Sequence, residues 1–156
     1  MYTTVILKTT LKTDKIYHME FYKTKSRKLP GTHWQQVMEK AFSQYKIIKH
    51  KTKRRPYVRS AYFKKEKIFL TLFWHHLHEK TNIRDKTRRL KYFPCAIELI
   101  QDNKIKPTTQ ISKEEPNISL HRFGGSTPDN DYFFIQIKEN IKNGQKWLIS
   151  VFPLDK

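Results

Sequence analysis

The clearest alternation of apolar and polar positions lies near the carboxy terminus. Residues 131–139, DYFFIQIKE, put Phe133, Ile135 and Ile137 on one side of an extended chain, and Tyr132, Phe134, Gln136 and Lys138 on the other. Residues 118–125 and 145–153 also read as strands, and Asn143-Gly144 before the last of them is a strong hairpin signal. In the last strand Trp147, Ile149 and Val151 form the more apolar set, which leaves Leu148, Ser150 and Phe152 opposite. In the first, either His121 or Arg122 shares the polar face, because neighbouring side chains point apart unless a bulge near Gly124-Gly125 intervenes.

Upstream the apolar period lengthens. Thr32 and Gln35 form a capping box for a helix that carries Trp34, Val37, Met38, Ala41, Phe42 and Tyr45 on one face. In IFLTLFWHHLHEK, residues 68–80, a helical stripe of Ile68, Phe69, Leu72, Phe73, His76 and Leu77 fits more positions than a strand of Ile68, Leu70, Leu72 and Trp74. A further helical stretch follows over 83–103 with Leu90, Phe93, Ile97 and Ile100 apolar, bent or restarted at Pro94. Residues 103–117 read as a polar loop, and residues 3–24 as a hairpin turning at Thr13-Asp14-Lys15.

This order predicts an α+β fold, helices followed by a carboxy-terminal antiparallel sheet of three or four strands. Residues 1–28 form a hairpin or extension, and residues 29–156 one α+β domain with a helical basic part (32–102) and a sheet part (118–153).

Charge changes the picture. The chain of 156 residues carries 32 Lys and Arg against 14 Asp and Glu, a net +18. Residues 1–118 hold 27 and 10 of these, a net +17, while residues 119–156 hold five and four, a net +1. A field of this size attracts polyanions, which makes nucleic acid the expected partner rather than a membrane. Residues 46–67 concentrate ten Lys and Arg against one Glu, with Tyr57, Tyr62 and Phe63 interleaved. Lys53, Arg54, Arg55 and Arg59 there, and Arg84, Arg88 and Arg89 further on, are candidate phosphate contacts. Cys95 is the only cysteine, which excludes a disulfide framework and a paired-cysteine zinc site. With no secretory signal and no long apolar run, a cytoplasmic protein without a cofactor or metal is expected.

The mixed face of the sheet invites a chemical reading. Rings for stacking, a cation for phosphate and an imidazole for proton transfer are what RNA cleavage by internal 2′-hydroxyl attack requires, with no metal. Antiparallel sheets also commonly turn one polar face to water, which accounts for the same pattern without chemistry.

The segments FWHHLHEK, RRLKYFPCAIELI, LHRFGG and FFIQIKENIKNGQKWLISVFP resemble, in this order, a family of small prokaryotic and mobile-element proteins. They also resemble the barnase–EndoU–colicin–RelE-like (BECR) nuclease domains, mainly over residues 118–153. That resemblance implies a toxin-like, metal-independent endoribonuclease with its site on the open sheet face. It would use His121 as proton shuttle, Arg122 and Lys138 as phosphate ligands and Ser150 as a supporting hydrogen bonder. Tyr132 or Phe134 would stack a base beside Gln136, RNA would be preferred to DNA, and an acidic inhibitor protein would cover the basic half.

Two alternatives stand beside it. One is a non-catalytic RNA- or DNA-binding module, which needs only the charge and the rings. The other is a metal-dependent single-strand nickase or transposase using His76-Leu77-His78. That site requires a strand, because on a helix the two histidines diverge by about 200°.

Overall fold

The chain enters the fold through β1 (Tyr2–Lys8) and β2 (Ile16–Lys23), which pair antiparallel with Tyr2 opposite Tyr22. Then come α1 (Trp34–Thr52), β3 (Tyr57–Arg59), β4 (Lys67–Phe69), α2 (Thr71–Glu79), α3 (Ile83–Leu90) and α4 (Phe93–Asp102). The chain ends on β5 (Thr108–Ile111), β6 (Ile118–Ser126), β7 (Tyr132–Asn140) and β8 (Lys146–Pro153). This computed structural model describes residues 2–8 and 16–154, so the turn expected at Thr13-Asp14-Lys15 lies outside the described residues.

Among the described residues the strands form one sheet in the order β1-β2-β6-β7-β8-β4-β3, with β5 beside β6. A seven-strand path curled into a half-barrel replaces the expected sheet of three or four strands after helices, and the architecture is mixed α/β. The missing strands have physical reasons. β3 and β4 have three residues each, too short to show a period, and β5 is exposed at every position. Their pairing comes from neighbours distant in the chain. Two of the added contacts are parallel, β2 with β6 and β4 with β8.

The helix expected over residues 68–80 begins only at Thr71, because Ile68 and Phe69 join β4. α1 begins at Trp34 with His33 at its N-cap position and no side-chain cap, so the Thr32–Gln35 capping box does not form. α3 does carry a side-chain cap, since Asn82 Oδ1 accepts from the Asp85 amide at 3.0 Å. Pro94 sits in the first turn of α4, where a missing N–H costs nothing, so the helix restarts there.

The helices cover one face of the sheet. Val58, Ile68, Phe123, Phe133, Ile135, Ile137, Leu148 and Val151 from the strands pack with Val37, Phe73, Leu90, Phe93 and Leu99 from the helices. Burial of these side chains is the main force assembling the fold. β8 slips by one residue between Gln136/Ile137 of its partner, so Ile135 faces Val151 while Ile137 faces Leu148. That bulge turns Leu148 into the core and sends Trp147 to the other face, reversing the parity expected for both.

β6 passes between two rings. A Cβ on Gly124 would lie 2.7 Å from the Phe21 ring, and one on Gly125 2.6 Å from Phe133. Glu98 of α4 ties down the segment after β2, accepting from the Lys25 and Ser26 amides and the Ser26 hydroxyl, each at 2.8 Å. Burial works to raise the Glu98 carboxyl, and these hydrogen bonds outweigh it and hold it below its ordinary value. Burial also pushes the Cys95 thiol up to about 12, which keeps it protonated and unreactive.

Candidate nucleic-acid interface

The face of the sheet turned away from the helices is organised in rows by the strand registers. One row runs Tyr57, Phe69, Trp147, Lys138, Leu120, Gln110 across β3, β4, β8, β7, β6 and β5. A second runs Ser150, Gln136, Arg122, Thr108, and a third Phe152, Phe134, Gly124. None of these positions carries a carboxylate. One end of the face is closed by β2, whose Phe21 meets Tyr132 and Phe134 at ring separations of 5.2 and 5.7 Å.

Cations are fixed on the rings. The Arg55 guanidinium lies 4.1 Å from the Phe69 ring centre, Lys67 Nζ 4.7 Å and Arg59 5.4 Å from that of Tyr57. Arg59 also donates to the Lys65 carbonyl at 2.9 Å, which holds it in place. Tyr57 and Phe69 themselves meet edge to face at 6.1 Å. Arg122 lies over Phe152 and Phe134 at 5.0 and 5.7 Å. Such packing holds a cation at the surface without neutralising it.

His121 is on the other face. It is 7% exposed, with Nδ1 2.8 Å from Thr109 Oγ1, Nε2 2.7 Å from Glu139 Oε1 and the Phe63 ring at 5.0 Å. Glu139 continues to Lys146 at 3.1 Å, and Lys146 also pairs with Glu66 and lies over the Phe63 ring. Burial works to raise the Glu139 carboxyl, but hydrogen bonds from His121 and Lys146 outweigh it and hold the group below its ordinary value. The network ties β5, β6, β7, β8 and the β3–β4 turn together. Of the four expected catalytic residues, Arg122, Lys138 and Ser150 therefore share a face, and His121 is separated from them by the sheet.

The expected binding residues divide as well. Arg55 and Arg59 join the outer face, and Lys53 and Arg54 are exposed beside them at the end of α1. Gln136 is half-exposed on the face. Phe134 is 6% exposed beneath Phe21, Phe152 and Arg122, so its ring supports the surface rather than offering it. Tyr132 packs edge-on to Phe21. Arg84 and Arg88 are exposed on α3, whereas Arg89 turns inward to Asp85 and β8.

His76 and His78 are on helix α2, and His78 Nδ1 is 2.8 Å from the Trp74 carbonyl, so the strand needed to pair them is absent. Phe69, Lys67 and Trp147 were not expected on the interface. Phe69 was hidden by the helical stripe and Trp147 by the bulge; the parallel β4–β8 pairing brings them side by side.

No family model, curated protein or solved structure matches the chain, so none of these comparisons links it to the BECR-like nucleases. Among the described residues, no helix is long and apolar enough to cross a membrane.

Proposed function

We propose that this chain is an RNA-binding protein that holds single-stranded RNA on the helix-free face of its sheet. The observation that carries this reading is the ring row Tyr57, Phe69, Trp147, flanked by Arg55, Arg59, Lys67 and Lys138 with no carboxylate among the strand positions of that face. Unpaired bases stack on such rings whatever their sequence, and the cations take the phosphates between them. The hydroxyl and amide groups of Thr108, Gln110, Gln136 and Ser150 offer partners to a 2′-hydroxyl, the group that distinguishes RNA.

Binding is favoured over cleavage because an RNase using Arg122, Lys138 and Ser150 needs a proton shuttle on their side. The His121 imidazole is instead engaged at both nitrogens by Thr109 and Glu139.

The test is incubation of the full chain with end-labelled single-stranded RNA in the presence of chelator. Intact, retarded RNA whose binding weakens steeply with salt is expected. Fragments ending in cyclic phosphate would restore the endoribonuclease reading, and absence of retardation at low salt would remove the RNA reading altogether.

A further inference from the structure

β4 covers the edge of β8 only at Lys146 and Trp147, and beyond them that edge meets α2 and the last turn of α3. A cleft of about 60 Å³ lies there, walled by the buried Phe73, Leu77 and Val151. Its polar lining is His76, Lys80, Arg89 and Ser150.

Each of the four groups can donate a hydrogen bond. His76 on α2 and Lys80, the residue that ends it, both line the cleft. Neither makes an ion pair or side-chain hydrogen bond among the described residues. Arg89 is held rigidly, with Nε donating to Asp85 at 2.9 Å and Nη1 to the Val151 carbonyl at 3.1 Å and Ser150 Oγ at 3.3 Å. Because Ser150 Oγ accepts from Arg89, its own proton is available to a further acceptor. Asp85, the carboxylate bonded to Arg89, is also drawn to Arg88 at 3.6 Å.

We infer that this cleft binds a phosphate group. Its volume of about 60 Å³ is several times the roughly 10–15 Å³ a single water needs, which leaves room for a tetrahedral oxyanion. Guanidinium, ammonium, imidazole and hydroxyl groups lining one cleft suit a multiply charged oxygen ligand, because hydrogen bonds from charged donors to such a ligand are the strong ones. Ser150 also ends the row Ser150, Gln136, Arg122 on the outer face. Assignment of the phosphate to RNA rests on the function proposed above; phosphate binding itself does not.

The experiment titrates inorganic phosphate into the full chain at constant ionic strength while amide and side-chain NMR signals are followed. Saturable shifts are expected at His76, Lys80, Arg89 and Ser150. The double substitution His76→Ala/Lys80→Ala, at solvent-accessible positions, should weaken binding about tenfold or more. The control Lys113→Ala/Lys142→Ala, which removes exposed lysines elsewhere, should retain it. Absence of saturable shifts, or equal behaviour of the two double variants, overturns the assignment.

A second arm compares single-stranded RNA with and without a 5′-phosphate. Equal weakening of both by His76→Ala/Lys80→Ala identifies a backbone phosphodiester, and selective weakening of the phosphorylated strand identifies a terminal phosphomonoester; either supports the cleft. Lost phosphate binding with unchanged RNA affinity keeps the cleft and overturns its link to RNA. Absence of RNA binding with phosphate binding intact overturns the proposed function alone.

Discussion

His121 and Arg122 are neighbours on β6, yet one is 7% exposed beneath the sheet and the other is exposed on the opposite side. The regions they belong to handle charge in contrary ways. Beneath the sheet, Lys146 is 4% exposed and meets Glu66 and Glu139, and Glu139 also meets His121. Every charge there has a partner, as burial demands. On the outer face the cations lie over rings instead of carboxylates, so their field reaches solvent. Similar residue types thus serve cohesion on one side and, in the reading proposed here, recognition on the other.

Lys146→Ala tests this contrast most severely. It removes the ammonium group that meets Glu139 and opens a gap against Phe63. The expected loss is about 3 kcal/mol of folding stability, measured by denaturant unfolding, with RNA affinity of the protein that remains folded unchanged. A stability loss below about 1 kcal/mol, in the range typical of surface pairs, would show that the network does not hold the sheet together.

Phe69→Ala/Trp147→Ala is the complementary experiment. RNA affinity should fall by about thirtyfold or more, since each of the two rings supplies stacking worth roughly 1–3 kcal/mol per base. Fluorescence anisotropy with a labelled oligonucleotide reads this directly, and circular dichroism checks the fold. Undiminished affinity would move RNA off the outer face.

The smallest effect is the response to acid. Glu139 and Glu98 are both held below their ordinary values in the folded chain. Their contribution to stability is therefore fully present above the ordinary carboxylate range of about 4 and is lost as pH falls through the lower, folded values. Melting temperatures measured from neutrality into acid should hold steady and then drop. Glu139→Gln should shallow that drop, and a drop of unchanged steepness would show that Glu139 does not contribute to it.

Much of this was legible where the local pattern was strong. The apolar face of β7 and the extent of α1 beyond its cap follow from periodicity that any neighbouring layer would satisfy. The division of His121 from Arg122 follows from strand geometry too, since only one of them can join the outer face. Which one does depends on what lies beneath. Thr109 occupies the register position facing His121, Glu139 reaches the imidazole diagonally from its place opposite Ser119, and Lys146 comes from a separate strand. The row Tyr57, Phe69, Trp147 was hidden for a different reason. It is assembled from two three-residue strands and a bulged one, whose local sequences carry no period long enough to read.

By itself the sequence determined the charge, its concentration before residue 119, and the alternation that makes β7 two-faced. These are sums and periods, set by composition and by backbone geometry common to all chains. The tertiary structure alone decided that the sheet curls into a half-barrel, that the bulge turns Trp147 outward, and that Ser150 meets Arg89 across a cleft. Those outcomes depend on pairing between segments far apart in the chain. Packing selects such pairings from many that the local sequence would equally allow.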